Sequence, residues 1–275
     1  MFSNENYLIM AHYHRDGLIR KDLFNLIKFL SKSFLKIIFV STNLKSNEKA
    51  KIMKYTKIIT RENLGYDFYS YKVGIDYLKK KYKKKFFEEK KLFLLPSSLL
   101  YLNPEKLMKQ FKKIKKFENK VFGLSKSWEI CEHLQSELYV FSTSLFKKKS
   151  FASWWHKIKK IKSKQLVIYE YEIGFSNFLK KEKIERIPLF IDNIKNYPST
   201  KIKLIKQRLK NVFLKKNKIY KKNPVHFYWK EIYQKFGFIK IELIKSNPHN
   251  VDINDFKNIF KGQNNLQYKL EALNN

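Results

Sequence analysis

Residues 61–74 hold the side chains best suited to act on an anionic or sugar ligand. Arg61, Asn63, Asp67 and Lys72 supply a guanidinium, an amide, a carboxylate and an ammonium group in one short stretch. Gly65 lies among them and provides the backbone freedom that a tight turn requires. A plain connection between two elements does not need so many functional groups, so we expect this stretch to bind a ligand.

The elements around this stretch predict its place in the fold. Lys57–Thr60 is short and β-branched, which indicates a buried parallel strand. After Asp67, apolar residues recur at spacings of three and four, which predicts a helix with Asp67 at its N-cap. Capping is the simpler interpretation of Asp67 alone, but a strand that leads into a helix N-terminus is also where α/β sheets bind diphosphate. The helical face comprises Phe68, Tyr71, Ile75 and Leu78.

The N-terminal part of the chain alternates between strands and helices. We predict strands at residues 7–11, 36–43, 92–95, 121–124 and 137–142, and helices at residues 20–34, 46–54 and 104–117. This alternation predicts an α/β fold with a mostly parallel, Rossmann-like sheet flanked by helices. After residue 144 the pattern becomes mainly helical.

A boundary between two domains is predicted at residues 193–200, where Pro198 stands among small polar residues. Residues 1–195 would form the sheet domain. Residues 196–275 would form a basic, helical C-terminal extension that packs on it.

The charge favours anionic partners. Lys and Arg total 59 against 24 Asp and Glu, a formal net charge of +35. Specific nucleic-acid binding is the weakest interpretation, because nearly all of these residues are Lys, whereas base and phosphate recognition favours Arg. Lysines and aromatic residues spread along the chain fit an anionic membrane surface better than they fit nucleic acid.

The cellular setting follows from cysteine content and hydropathy. Cys131 is the single cysteine, so no disulfide framework is expected and a reducing, cytoplasmic setting fits. No stretch approaches the roughly 18 apolar residues that a membrane-spanning helix needs. We therefore expect a cytoplasmic protein that can lie peripherally on the inner face of the cell membrane.

Motifs spread along the chain resemble those of the rhamnan synthesis protein F family, bacterial polysaccharide glycosyltransferases of the cell envelope. The most specific is the stretch from Arg61 to Phe68, followed by Tyr71, Lys72 and Gly74. Most of the chain is covered, and the motifs occur in the family's order. The other motifs lie at residues 11–17, 38–41, 123–124, 133–136, 223–229 and 238–243.

The resemblance implies a GT-A-like domain that binds a nucleotide sugar. It implies a transferase that moves a deoxysugar, rhamnose from dTDP-rhamnose, onto a lipid-linked surface polysaccharide such as rhamnan or O-antigen. It also implies His12 and Tyr13 near the nucleotide, with Asn63, Gly65 and Asp67 near the donor sugar or ribose. The other residues predicted to bind the donor are Arg61, Tyr66, Lys72, Ser97, Ser98 and Gln135.

The sequence departs from the family at the end of the fourth strand. Members usually carry Asn-Asp-Ser there, whereas this chain has Pro96, Ser97 and Ser98. An acid at that edge typically binds the divalent ion that bridges the donor phosphates, so the usual ligand for Mg²⁺ or Mn²⁺ is absent and no metal ligand is predicted. Either cationic side chains such as Lys72, Arg61 and Lys126 replace the ion, or the chain is a catalytically impaired member that binds nucleotide sugar or glycan and supports another transferase.

A glycosyl transfer also needs a base for the acceptor hydroxyl. The candidates are Glu129, Glu132 and His133, and Glu129 is favoured because Trp128 beside it could stack on a sugar and desolvate the carboxyl. A plain surface carboxylate is the competing interpretation of each acid. The predicted catalytic set is Glu129, His133 and Asp67, with Asp67 holding sugar hydroxyls.

Overall fold

The fold is built on strands that lie between two layers of helices. The computed structural model describes residues 5–115, 117–192, 202, 205, 206 and 223–273. Its strands are β1 (Tyr7–His12), β2 (Lys36–Ser41), β3 (Lys57–Thr60), β4 (Lys91–Pro96), β5 (Leu99–Tyr101), β6 (Lys120–Gly123), β7 (Lys126–Ser127), β8 (His133–Leu134), β9 (Tyr139–Ser142), β10 (Glu185–Pro188) and β11 (Phe238–Lys240).

The helices mostly follow the strands one by one. They are α1 (Lys21–Leu30), α2 (Ser46–Ile52), α3 (Tyr66–Tyr82), α4 (Pro104–Lys113), α5 (Lys149–His156), α6 (Lys164–Val167), α7 (Gly174–Lys181), α8 (Pro224–Phe227), α9 (Trp229–Phe236), α10 (Ile241–Lys245), α11 (Phe256–Ile259) and α12 (Gln263–Leu273). A π-helix, Ile168–Ile173, joins α6 to α7, and short 3-10 helices form at Lys83–Phe87 and Thr143–Lys147.

The central sheet confirms the predicted α/β fold. Its seven strands have the order β10–β6–β9–β4–β1–β2–β3, and every neighbouring pair is parallel except those that involve β9. The C-terminal ends of the parallel strands therefore meet at one edge, the carboxyl edge. Because β9 runs the other way, it begins at this edge.

The two sheet faces bury alternate residues of each strand. Leu8 and Met10 of β1 pack with α1, whereas Tyr7 and Ile9 pack with α3. Gly74 brings α3 directly onto β1, since a Cβ there would lie 2.7 Å from Cγ2 of Ile9. This close contact fixes α3 with its N-terminus at the carboxyl edge.

Two local predictions were wrong. Lys57–Thr60 is not buried, because β3 is the last strand of the sheet and only its isoleucines are partly covered. Asp67 is not the N-cap of α3. Gly65 takes that position with a φ of 79°, and Asp67 is the second helical residue.

The C-terminal part contains two strands that the helical pattern did not predict. β10 extends the central sheet beside β6, and β11 pairs in antiparallel fashion with β5. Phe227 of α8 and Phe236 of α9 pack into the same core as β1 and β4, whereas Trp229 of α9 packs in a separate cluster with Ile239 of β11. The predicted boundary at residues 193–200 and nearly all of the basic stretch after it lie outside the described residues, so the two-domain division stays a prediction.

None of the helices within the described ranges combines the length and apolar character that crossing a bilayer demands.

Candidate active site

His12 and Ser97 are neighbours at the carboxyl edge, because Ala11 pairs with Pro96 in the sheet. The backbone N–H of Tyr13 donates to Oγ of Ser97 at 3.1 Å. His12 is buried, with Nδ1 2.8 Å from Oγ of Ser41. Burial, reinforced by nearby Arg20, lowers the pKa of His12 to about 3. His12 is therefore a neutral, fixed part of this edge, while the ring of Tyr13 is exposed.

A buried ion pair shapes the turn that lacks the expected acid. Arg20 donates from Nη1 to the carbonyl of Ser97 at 2.9 Å and from Nη2 to the carbonyl of Leu99 at 2.8 Å. Its Nε lies 2.9 Å from Oδ1 of Asp22, and both side chains are almost completely buried. Oδ2 of Asp22 accepts from the N–H of Tyr101 at 2.9 Å. Arg20 and Asp22 thus hold the backbone at residues 97–101, with Ser97 buried and Ser98 exposed.

Arg61 organises the turn after β3. Its Nε and Nη2 donate to Oγ of Ser70 at 2.9 and 2.6 Å. Nη1 also donates to the carbonyls of Glu62 and Leu64, and Nη2 to that of Tyr66. Burial lowers the pKa of Arg61. These bonds engage every N–H of the guanidinium, so in this structure Arg61 supports the loop from within.

The other residues predicted to bind the donor near Arg61 do not share its buried, hydrogen-bonded position. Gly65 has no room for a side chain, because a Cβ there would lie 2.5 Å from Cβ of Tyr69. Asn63 and Tyr66 lie at the surface. Lys72 is held by Asp76 at 2.6 Å, one turn further along α3.

Asp67 is the carboxyl group of this turn that has no partner among the described residues. It is partly exposed, and the described residues give it neither a hydrogen bond nor an ion pair. Its surroundings are otherwise protein, and this desolvation raises its pKa to about 6, opposed by Arg61 and supported by Glu137. An unpartnered carboxyl group with a perturbed pKa is a candidate ligand-binding group.

The sequence reasoning missed a buried ion pair beside Asp67. Nζ of Lys240 lies 2.7 Å from Oε1 of Glu137 and 3.7 Å from Oε2 of Glu242. Glu137 precedes β9 and Lys240 ends β11, so the start of β9 meets the C-terminal block, residues 223–273, at this point. Burial opposes the ionisation of Glu137, but Lys240 outweighs it and keeps the pKa of Glu137 below its usual value. Oε2 of Glu137 is buried without a hydrogen bond from the described residues.

Glu172 is a second missed acid, and the π-helix places it at the site. Its Oε1 accepts from the N–H of Ser136 at 2.9 Å and lies 3.8 Å from Nε2 of His133. Burial and the charge of Glu137 raise the pKa of Glu172 to about 7. Because π-bulges inside helices occur frequently at functional sites, the local geometry makes Glu172 a candidate functional residue.

Glu129 and Gln135 lie in a hydrogen-bonded chain with the C-terminal block. Gln135 accepts from Oγ of Ser125, and its Nε2 donates to Oδ1 of Asn223 at 2.9 Å. Nδ2 of Asn223 donates to Oε2 of Glu129 at 2.7 Å. Oε1 of Glu129 lies 3.5 Å from Nε2 of His249. Glu129 is thus a fixed acid.

His226 lies between this series of hydrogen-bonded residues and the ion pair of Lys240 with Glu137. The centre of its ring lies 4.8 Å from that of His249, and its Nε2 lies 3.4 Å from Oε2 of Glu242. The close approach of His226, supported by the charge of Lys240, lowers the pKa of Glu242 to about 2.

The predicted residues therefore fall into two linked groups. Ser97 joins His12 and Tyr13 at the ends of β1 and β4. Asp67 is close enough to Glu137 and Lys240 to be influenced by their charge, as is Glu172. No three acids, histidines or cysteines within the described ranges are placed to hold a metal ion.

The raised pKa of Glu172 predicts a pH-dependent stability. Between its ordinary value of 4.5 and about 7, folded Glu172 retains a proton that the unfolded chain releases, so the free energy of unfolding falls as pH rises through this window. Glu172→Gln should remove this part of the decline. Urea unfolding at pH 5, 6, 7 and 8 measures it, with Glu170→Gln, an exposed acid of the same π-helix, as the matched control. Parallel curves for Glu172→Gln and the native chain would contradict the prediction.

Comparison with known proteins gives a family match over the central part of the chain. Residues 37–192 match the family model described as rhamnan synthesis protein F. No curated protein matches the chain significantly.

Several solved structures are similar in fold at low sequence identity. The glycosyltransferase GlyE of Streptococcus pneumoniae TIGR4 is 12% identical with a TM-score of 0.45, over 77% of this chain and 51% of that chain. This chain thus spans about half the length of that protein. The Francisella tularensis 2-C-methyl-D-erythritol 4-phosphate cytidylyltransferase is 11% identical with a TM-score of 0.41, over 67% and 89% of the two chains.

Proposed function

Because the chain belongs to the rhamnan synthesis protein F family, we propose that it transfers rhamnose from dTDP-rhamnose to a lipid-linked cell-surface polysaccharide. Family membership supports a glycosyltransferase-like function in polysaccharide biosynthesis. The donor, the acceptor and a place at the inner face of the cell membrane are parts of the proposal.

The observation that carries the proposal is the unpartnered carboxyl group of Asp67 at the carboxyl edge. It follows β3 on the first turn of α3, where helix N–H groups and the positive dipole end favour an anion. We assign the donor diphosphate to this helix end and the sugar hydroxyls to Asp67. Tyr13, exposed at the end of β1, is assigned to the nucleotide, as the family resemblance implies.

The leaving diphosphate needs positive charge. The cations predicted from sequence are engaged elsewhere: Arg61 in its turn, Lys72 with Asp76, and Lys126 with Glu132 at 3.2 Å. Lys164 is better placed: its exposed ammonium lies 3.7 Å from Glu242 and is near enough to Asp67 to lower the pKa of that carboxyl group. We propose Lys164 as the cation for the leaving group.

The acceptor hydroxyl must lose a proton as it attacks the anomeric carbon. We propose that Glu172 accepts this proton, because a base with a pKa of about 7 suits transfer near neutral pH. His133, next to one oxygen of Glu172, would then position this base. Glu129, held by Asn223, would support the acceptor side.

A second function is favoured by the turn at Pro96, Ser97 and Ser98. The turn carries no carboxylate, and Arg20 fixes its backbone. A catalytically impaired protein that binds nucleotide sugar or glycan and supports another transferase would fit this turn.

Calorimetric titration with dTDP-rhamnose and with UDP- and GDP-sugars, with and without Mg²⁺ or Mn²⁺, tests the proposal. We expect dTDP-rhamnose to bind, and Asp67→Asn to weaken it by about ten- to a hundredfold, the effect of losing hydrogen bonds to a charged group. Asp76→Asn, an exposed acid of the same helix, is the control and should bind normally.

The outcomes separate the two functions. Binding of another donor would change the assigned sugar, and equal affinity of Asp67→Asn and the native chain would remove Asp67 from the site. If the protein bound the donor but neither hydrolysed it slowly nor transferred its sugar, the catalytically impaired protein would be favoured. No binding of any donor at millimolar concentration would contradict the transferase.

A further inference from the structure

A loop beside the candidate site displays lysines outward. In residues 157–164, Ile158 is buried and Ile161 is half-buried, while the lysines are exposed. The loop is fixed at two points: the N–H of Gly65 donates to the carbonyl of Ile161 at 2.9 Å, and the N–H of Lys159 donates to Oη of Tyr171 at 2.7 Å. The exposed residues of this lysine loop are Lys157, Lys159, Lys160, Lys162 and Lys164.

Large apolar side chains are exposed next to the lysine loop. Leu166 and Tyr169 follow it at a spacing of three residues, so they share one face of the helical segment, and about half of each is exposed. Tyr66 is exposed as well, and its hydroxyl donates to the carbonyl of Lys162 at 3.3 Å. The surface therefore combines cationic and apolar groups.

The lysine-rich stretch at residues 79–85 lacks this combination. Its exposed lysines include Lys81, Lys84 and Lys85, but Phe86 is buried and Tyr82 is partly covered. Density of lysine alone therefore does not distinguish the loop. What distinguishes the loop is the exposed apolar surface of Leu166 and Tyr169 beside it.

Part of the positive charge in the loop is uncompensated. Lys160 pairs with Glu62 at 2.7 Å, and Lys164 lies 3.7 Å from Glu242. Within the described part of the chain, Lys157, Lys159 and Lys162 have no carboxylate partner. These three ammonium groups are available to an external anion.

We propose that the lysine loop, together with Leu166, Tyr169 and Tyr66, docks on an anionic lipid bilayer. The ammonium groups lie at the level of the lipid phosphates, and the apolar side chains enter the interface. The inference rests on the proposed function, because a lipid-linked acceptor resides in a membrane. The bond from Gly65 to Ile161 places this docking surface directly beside the turn that carries Asp67.

Vesicle co-sedimentation of the full chain tests the surface, with phosphatidylcholine vesicles that contain either no or 30% phosphatidylglycerol. Each lysine near an anionic surface contributes about fivefold in affinity, so replacing Lys157, Lys159 and Lys162 by Gln should weaken binding to the anionic vesicles at least tenfold. The matched control replaces Lys81, Lys84 and Lys85 by Gln, which removes the same charge from another surface. It should weaken binding less than threefold.

A second variant tests the apolar part. Leu166→Ser with Tyr169→Ser should reduce the binding that remains at high salt, where the lysine contribution is screened. Thermal unfolding of every variant shows whether it remains folded.

Three results would overturn the proposal. Equal weakening by the two lysine variants would mean that only net charge acts, and equal binding to neutral vesicles would exclude anionic recognition. The surface would be assigned to nucleic acid if the native chain bound single-stranded RNA but no vesicles, and if the loop variant lost that RNA binding.

The donor titration separates this surface from the site. The loop variant keeps Lys160 and Lys164 and should bind dTDP-rhamnose like the native chain. A native chain that binds vesicles but no donor would lose the proposed function and keep the docking surface.

Discussion

Arg20→Met is expected to lower the free energy of unfolding by about 3–5 kcal/mol, the cost of removing one partner from a buried ion pair. Asp22 would keep its bond from the N–H of Tyr101 but lose its counter-ion in a site closed to water. The carbonyls of Ser97 and Leu99 would also lose their donors. Urea unfolding at pH 7 measures the change.

Two further variants make this prediction specific. Arg15→Met removes the exposed partner of Asp16 and should change the free energy of unfolding by less than about 1 kcal/mol, as surface pairs do. Arg20→Met combined with Asp22→Leu removes both buried charges and should recover much of the loss. A loss below about 1 kcal/mol for Arg20→Met alone would show that the turn at Ser97 does not depend on this pair.

Lys240→Met should produce a loss of similar size, about 3–5 kcal/mol at pH 8. Glu137 would then be buried without its cation, with one oxygen already lacking a hydrogen bond from the described residues. In the native chain the lowered pKa of Glu137 contributes stability that is present above its ordinary value of 4.5 and lost as pH falls. Without Lys240, burial should raise the pKa of Glu137, so the difference between the two proteins should shrink toward pH 5.

Urea unfolding of both proteins between pH 5 and 8 measures this dependence. Adding Glu137→Gln to Lys240→Met removes the stranded charge and should restore much of the stability at pH 8. Lys230→Met, which removes an exposed partner of Asp255, is the matched control and should change stability little at any pH. A loss for Lys240→Met that did not vary with pH would mean that packing of the lysine stem, not the ion pair, is what stabilises this region.

The strands that the sequence predicted best are those that neighbours cover on both sides. β1, β2 and β4 read as continuous apolar runs because helices cover both faces of the parallel sheet. β3 is apolar too, yet it lies at the sheet edge, and a run of four residues does not reveal its position in the strand order. β10 was missed because its first residues, Glu185 and Arg186, are charged and polar, as an edge strand allows.

The parts of the site that were missed depend on long-range pairing and on helix register. Lys240 meets Glu137 only because β11 pairs with β5, a contact that no local pattern encodes. Glu172 stands in a helical stretch where an acid predicts exposure, and the π-helix shifts the register that periodicity assumes. Asp67 was predicted as a site residue because a cluster of polar residues after a strand is a local signal. The family was also found from local motifs, and it is confirmed.

The pairing of β5 with β11 sets an order of events during biosynthesis. Ribosomes add about 5–20 residues per second, so Lys240 emerges roughly 5–20 seconds after Glu137. Asp67, Glu137 and Glu172 are all synthesised before Lys240, so until then their shared cation is missing. Like charges without a counter-ion repel one another, so this edge should remain loose until β11 docks. The nascent protein would thus complete the candidate site only once β11 has been added, so a shorter chain would not bind the donor proposed above.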